Sequence, residues 1–201
     1  MKSRFWTKEE PEWVVWLLVI IALAAGWVLK TNIQGQMEVF TDPQSALTVR
    51  YPATWMKESD PNSLLTVSDP RSLSAFKSTF TVQVREIKKE GEQPEDEEIA
   101  LARQANLWTL VRGQELPFFR VLETRPGNVA GKPAMLINYG YVADPLRATA
   151  RSVTLPVVVK ALDALVIHEG RVYIFTFAAD QTAFTAELSL MEKLMASLSF
   201  G

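Results

Sequence analysis

The sequence contains no cysteine. Disulfides, thiolate metal sites, iron–sulfur ligation, covalently attached haem and a cysteine nucleophile are therefore excluded. The same absence excludes a bacterial lipoprotein anchor, which needs a cysteine to acylate. Histidine is almost as scarce, because His168 is the only one. Metal sites built from several histidines, and Ser-His-Asp arrangements away from His168, are consequently unavailable.

The chain also lacks a strong charge of either sign. Its 201 residues carry a formal net charge of −2. Residues 1–36 contribute +1, which leaves residues 37–201 mildly acidic at −3. A domain of this kind has no positive surface for a polyanion, so nucleic acid is excluded as a partner. With 48% hydrophobic and 22% charged residues, the composition is that of a globular protein and not of a disordered one.

One long apolar run lies near the amino terminus, from Trp13 to Leu29: WVVWLLVIIALAAGWVL. It contains no charged or strongly polar residue, and as a helix it would span about 25 Å, enough for a thin hydrocarbon core. Trp13 and Trp16 at one end and Trp27 at the other are placed as interfacial aromatic residues. The run predicts a single transmembrane helix over residues 13–29, with the lipid bilayer as a partner.

A cleaved signal peptide is the alternative interpretation, since Ala22-Leu23-Ala24 fits a small-x-small cleavage site. The run continues past that site, which favours an uncleaved anchor. Basic residues are concentrated in segment 1–12, so we expect a cytoplasmic amino terminus and an extracytoplasmic carboxyl-terminal domain at a bacterial inner or thylakoid membrane. The small residues Ala22, Ala25 and Gly26 share one helix face, which we interpret as a face for a partner transmembrane helix.

Residues 30–36 are polar and are predicted to be a short linker to a domain over residues 37–201. Alternating apolar residues predict strands, and a 3.6-residue period predicts helices. The fold class is α+β, an antiparallel sheet sandwiched by helices. The predicted strands are Leu47–Tyr51, Leu64–Val67, Ser78–Ile87, Phe118–Thr124, Ala134–Val142, Ala164–His168 and Arg171–Phe177, and the predicted helices run from Pro94 to Gly113 and from Phe184 to Leu198.

The domain resembles the PsbP-like family, whose founding member is an extrinsic subunit of the oxygen-evolving photosystem. The resemblance covers nearly all of residues 37–201 and depends on the order of weak motifs. These are Tyr51-Pro52-x-x-Trp55, Ser68-Asp69-Pro70, the segment Val129–Ala134 before Tyr139 and Tyr141, the segment Val172–Ala179, and the ending Met195–Phe200.

This resemblance implies an α/β/α sandwich and a non-catalytic accessory or assembly role on a membrane protein complex, in photosynthesis or respiratory electron transport. The family's histidine-based contacts are not transferred, because this chain has a single histidine. The alternative function is a membrane-tethered module that binds or senses a small ligand. No residue is singled out as catalytic, cofactor-binding or metal-binding, and no cofactor is expected.

Several polar features have ordinary structural explanations. The segment Gly127–Pro133 is one residue short of a phosphate loop and is predicted to be a hairpin turn. His168 is expected at an accessible hairpin tip, as a polar turn residue or as a pH-sensitive contact.

The acids of the segment 90–98, including Glu95 and Glu98, are expected at a helix start, with a weak cation site as the alternative. Turns or element ends are predicted for five aspartates: Asp60, Asp69, Asp144, Asp163 and Asp180.

The segment Ala143–Pro156 is the least explained part of the domain. It is polar and long, and it carries Asp144, Arg147 and Arg151. Long excursions within compact domains are often functional. These three residues are therefore a candidate docking loop, with a plain crossover as the alternative.

Overall fold

The computed structural model describes residues 12–34, 36–87, 96–143 and 156–201, with only the backbone at residues 12 and 28–34. The chain divides into two compact units, residues 1–36 and residues 37–201. The first unit contains α1 (Glu12–Gln34). The helix therefore includes most of the predicted linker over residues 30–36, because polar residues can continue a helix that an apolar run has begun.

Side chains of α1 are described from Trp13 to Trp27. All are apolar, and all except that of Val14 are exposed. No helix in the described stretches combines the length and the apolar character that crossing a membrane demands.

The second unit contains nine strands and two helices among its described residues. A two-stranded sheet pairs β1 with β2, and a seven-stranded sheet has the order β3-β4-β5-β9-β8-β7-β6, with every pair antiparallel. The elements are β1 (Met37–Thr41), β2 (Thr48–Pro52), β3 (Met56–Glu58), β4 (Leu65–Ser68), β5 (Thr79–Glu86), α2 (Glu97–Glu115), β6 (Arg120–Val129), β7 (Lys132–Ala143), β8 (Val157–His168), β9 (Arg171–Asp180) and α3 (Gln181–Ala196).

The large sheet is covered on both faces, as strand β9 shows. Its Tyr173 and Phe175 belong to the apolar cluster that includes Leu194 of α3 and residues of β2. Its Val172 and Ile174 belong to the second cluster, which includes residues of α2. Because successive side chains of a strand point to opposite faces, α2 and α3 pack on opposite sides of the sheet. The predicted α+β class with an antiparallel sheet is confirmed.

Both predicted hairpin turns are present. Ala130-Gly131 joins β6 to β7 and Glu169-Gly170 joins β8 to β9. All four residues have positive φ, from 49° at Glu169 to 76° at Gly131, which two-residue turns of type I′ require. Because strand β7 begins directly at Lys132, no helix amino terminus follows this turn to hold a phosphate.

Some elements differ from the predictions in their bounds or were not predicted at all. Helix α2 continues through Gly113 to Glu115, because one glycine inside a packed helix costs only about 1 kcal/mol. Strand β6 continues through Pro126 to Val129, and this is possible because β6 is an edge strand of its sheet, where proline is tolerated. Strands β1 and β3 were not predicted, because their five and three residues are too short for a clear period.

Candidate functional site

Asp163 lies in the middle of β8, and its side chain is fully buried. The prediction that it occupies a turn or an element end is wrong. Strand β8 begins at Val157, seven residues before the predicted start at Ala164, so Asp163 is an interior residue of the sheet. A buried carboxylate is costly unless it is paired and hydrogen-bonded.

Three side chains from two neighbouring elements satisfy Asp163. From α2, the indole N–H of Trp108 donates to Oδ2, and Nε of Arg112 lies 3.3 Å from the same oxygen. From β7, the hydroxyl of Tyr139 donates to Oδ1 at 3.0 Å. Arg112 also donates to Oγ1 of Thr176 on β9, at 3.1 Å. These contacts, here called the Asp163 network, attach α2 to the centre of the sheet.

The charges of the Asp163 network change the pKa values of its members. Burial lowers the pKa of the Arg112 guanidinium and is the largest single effect. The charge of Asp163 and its hydrogen bond, together with Tyr139 and Glu115, outweigh burial, and the net pKa is raised. Burial, and then the Asp163 charge, raise the pKa of Tyr139 well above its ordinary value. Burial also raises the pKa of Tyr141 to about 12. Both tyrosines therefore stay protonated at neutral pH, so the hydroxyl of Tyr139 remains a donor.

A cleft of about 700 Å³ opens beside this network. Its lining comes from three places: the turn between β3 and β4, strand β5, and helix α2. We call it the α2 cleft. It is lined by Asp60, Pro61, Asn62, Gln83, Val84, Arg85, Trp108 and Glu115. The size lies within the range of small-molecule sites, about 300–1,000 Å³, but the lining is more polar than is usual for them.

Two guanidinium groups lie over the indole ring of Trp108. The Cζ atom of Arg112 is 4.4 Å from the indole ring, and that of Arg85 is 4.6 Å away. Cation–π contacts of this kind hold an arginine side chain in one orientation. Since the hydrogen bond to Asp163 fixes the indole, the Asp163 network positions the exposed Arg85 at the α2 cleft.

The two acids of the α2 cleft already have partners. Oδ1 of Asp60 accepts the backbone N–H of Asn62 at 2.9 Å, and Oε2 of Glu115 lies 3.7 Å from Arg112. Arg85, in contrast, forms no ion pair with any residue of the described stretches. Its guanidinium is therefore available to an anionic group.

The other described aspartates occupy the predicted turns and element ends. Asp60 and Asp69 accept backbone N–H groups two residues further on. Asp180 is the N-cap of α3 and accepts the N–H of Thr182 at 2.8 Å. Hydrogen bonds from Ser74, and then from Thr182, lower the pKa of Asp180. Asp144 lies outside the described residues.

His168 is the last residue of β8, beside the hairpin turn as predicted, and its side chain is half-buried. Its ring lies 4.5 Å from that of Phe200 and 6.2 Å from that of Tyr173. The side chain is therefore only partly accessible, because the chain returns after α3 and places the ring of Phe200 against the end of the hairpin.

The predicted acidic helix start is present in part. Asp96 is the N-cap of α2, and Glu97 and Glu98 lie in its first turn, where they complement the helix dipole. Glu95 lies outside the described residues. In the described part of the chain, no three acidic or histidine side chains are grouped as metal ligands.

The candidate docking loop of Asp144, Arg147 and Arg151 lies outside the described residues. The helix face of Ala22, Ala25 and Gly26 lies on α1, where a Cβ added to Gly26 would meet nothing within 4 Å. Trp13, Trp16 and Trp27 are each at least 65% exposed.

The Asp163 network and the α2 cleft were missed at the level of sequence. One signal was available for Asp163, which is an isolated acid within the apolar run ALDALVI of β8. A charge in such a run indicates a buried, paired side chain. No comparable signal connects Arg85 with Trp108, because their contact depends on how α2 crosses the sheet.

No family model and no curated protein matches the chain. Solved structures do match, at low identity. Cyanobacterial PsbP (CyanoP) from Synechocystis is 13% identical, with 82% of this chain and 92% of that chain covered and a TM-score of 0.56.

Two further structures share the fold. LpqN of Mycobacterium tuberculosis, described as involved in cell envelope biogenesis, is 12% identical over 82% of this chain and 90% of its own, with a TM-score of 0.54. The Ran-binding protein Mog1p of Saccharomyces cerevisiae is 11% identical over 82% and 95%, with a TM-score of 0.50. The chain thus has a PsbP/Mog1-like fold, which confirms the resemblance at the level of architecture.

Proposed function

We propose that this protein is a non-catalytic accessory or assembly subunit of a membrane protein complex. The observation that carries the proposal is α1, whose described side chains from Trp13 to Trp27 are all apolar and nearly all exposed. A helix that is apolar on every side needs lipid or another helix to cover it. The uncharged run over residues 13–29 supports the lipid bilayer as that cover.

The accessory role has support from the fold and from the chemistry of the domain. CyanoP, which has this fold, is named as a PsbP protein, and we extend that parallel to an energy-converting complex, photosynthetic or respiratory. The fully buried carboxylate of Asp163 is surrounded by donors, which suits a structural role better than acid–base catalysis.

Two elements are proposed to contact the complex. The face of Ala22, Ala25 and Gly26 allows close approach of a partner transmembrane helix. The segment that carries Asp144, Arg147 and Arg151 would dock the exported domain. The tryptophans at both ends of the run would lie at the two membrane interfaces.

Purification in a mild detergent tests this proposal. The tagged full-length protein is expected to elute with other membrane proteins in a fixed ratio that survives a second column. Elution of the protein alone, at the size of its own detergent complex, would contradict the accessory role. A chain in which residues 13–29 are replaced by an unrelated transmembrane helix separates docking by the domain from docking by α1.

A second candidate function is favoured by a different observation, the α2 cleft of about 700 Å³. A membrane-tethered domain with such a cleft could capture a small polar ligand. Native mass spectrometry of the purified chain is expected to show an added mass that disappears on denaturation. A spectrum that contains only the protein mass and detergent adducts would contradict this function.

A further inference from the structure

We propose that the α2 cleft binds short peptides through their free carboxyl terminus. The inference rests on the second candidate function, ligand binding in the cleft, and names the class of ligand. Arg85 would bind the carboxylate and Gln83 would accept an N–H of the peptide.

Arg85 supplies the anion-binding group. Among the described residues, its charge has no partner of opposite sign. The other charged residues of the lining do have partners, since Asp60 accepts the N–H of Asn62 and Glu115 lies near Arg112. A guanidinium presents parallel N–H donors that match the two oxygens of a carboxylate. Its contact with Trp108, at 4.6 Å from the ring, holds the side chain before the ligand arrives, which reduces the entropy lost on binding.

Gln83 supplies the acceptor. Its Oε1 atom is buried and has no hydrogen-bond donor, and Gln83 lines the same cleft. A buried carbonyl oxygen without a donor is costly, and its presence at a cleft points to a missing partner. A peptide N–H is a partner of the right kind.

The spacing of the two groups agrees with a peptide. Gln83 and Arg85 are two residues apart on β5, so they lie on the same face, about 7 Å apart along the strand. Peptide N–H groups follow the terminal carboxylate at intervals of about 3.5 Å in an extended chain. One extended peptide therefore reaches both side chains, whereas a lone inorganic anion would meet Arg85 and leave Gln83 without a donor.

The charge of the cleft also favours a peptide over a simple anion. Asp60 and Glu115 keep their negative charges although each has a partner, and charges of the same sign disfavour a multiply charged anion such as phosphate. A peptide has one carboxylate and, at its other end, an ammonium group that the acidic rim attracts. Asn62 adds an amide group to the same lining.

Calorimetric titration of the full-length protein in detergent tests the inference. The probes are trialanine with a free carboxylate, trialanine amide, and inorganic phosphate, each over the same concentration range. Trialanine is expected to bind at least about tenfold more tightly than its amide, because the amide loses the charge that Arg85 recognises.

Substitutions in the α2 cleft test which residues bind the peptide. Arg85→Met is expected to weaken trialanine binding at least about tenfold. Arg85→Lys is expected to weaken it less, because lysine keeps the positive charge but lacks the parallel N–H donors of a guanidinium. Gln83→Met should weaken binding about threefold. Arg120→Met, which removes an exposed arginine from the edge strand β6, is the matched control and should leave the affinity unchanged. Near-ultraviolet circular dichroism establishes that each variant is folded.

Three outcomes would overturn the inference: equal binding of trialanine and its amide, equal binding of phosphate, or no binding of trialanine at concentrations of about 10 mM. A folded Arg85→Met variant with unchanged affinity would overturn the role of Arg85. None of these results affects the detergent co-purification of the complex. Bound mass in native spectra without trialanine binding would leave the second candidate function in place with another ligand.

Discussion

The indole N–H of Trp108 donates a hydrogen bond to Oδ2 of Asp163, which joins α2 to the middle of β8 across 55 residues of sequence. The acceptor is fully buried, and the donor ring carries Arg85 and Arg112 on its surface. This contact therefore connects the stability of the domain to the orientation of the side chain at the α2 cleft.

Removal of the charge of Asp163 should destabilise the domain strongly. In Asp163→Asn the largely buried guanidinium of Arg112 loses its fully buried counter-ion, and breaking a buried pair typically costs about 3–5 kcal/mol. Unfolding curves in guanidinium chloride measure the free energy of unfolding of each variant. Asp69→Asn is the matched control, because its pair with Arg71 is exposed and should change stability by less than about 1 kcal/mol. Equal effects of the two substitutions would contradict a structural role for the Asp163 network.

Alkaline pH should unfold the domain when its tyrosines ionise. Burial raises the pKa of Tyr141 to about 12 and that of Tyr139 well above its ordinary value, whereas an unfolded tyrosine titrates near 10. Stability is therefore fully present below about pH 10 and declines as pH rises towards 12. Tyrosinate absorbance and circular dichroism should change together in this range. Tyr141→Phe should reduce the decline, and early ionisation without unfolding would contradict the prediction.

Two glycine substitutions should have opposite effects. A Cβ added at Gly127 on β6 would lie 2.7 Å from Cδ1 of Leu136, so Gly127→Ala should destabilise by about 1–3 kcal/mol through overpacking. Gly113 lies inside α2, where the added Cβ would make an ordinary contact of 3.6 Å with Phe119. Gly113→Ala should stabilise by about 0.5–1 kcal/mol through helix propensity. The melting temperatures of both variants measure these effects. If both substitutions shift the melting temperature in the same direction, this account is contradicted.

Bulky residues on the small-residue face of α1 should weaken association with the proposed complex. Ala22→Leu with Gly26→Leu keeps the helix apolar, so insertion into the membrane should be unchanged, but close approach of a partner helix is blocked. The matched control, Ile20→Leu with Ile21→Leu, changes the opposite face. Co-purification yield should fall for the first pair alone. Unchanged yield would assign docking to the exported domain.

Membrane orientation can be measured separately from function. Protease added to cells stripped of their outer layers should remove an epitope at Gly201 and spare one at Met1, because the basic residues before the apolar run favour a cytoplasmic amino terminus. Lysed cells provide the control in which both epitopes are lost. Protection of the carboxyl-terminal epitope alone would reverse the proposed orientation.

Local sequence determined most of the elements. The alternation in β5, the helical period in α3 and the turn Glu169-Gly170 were sufficient to predict these features, because each depends on neighbouring residues. The order of the short motifs was also sufficient to predict the fold that CyanoP shares. The short strands β1 and β3 were missed because three to five residues do not establish a period.

Apart from the local signal at Asp163, an isolated acid in an apolar run, tertiary structure decided the candidate site. Asp163 was predicted at a turn or an element end. It is buried because α2 covers one face of β8, and these two segments are far apart in sequence. The orientation of Arg85 depends in the same way on Trp108 of α2. His168 was expected to be accessible, but Phe200 packs against it after the chain has passed through α3. Side-chain burial and pairing are set by which elements pack together, and the period of a single strand or helix contains no information about its partner.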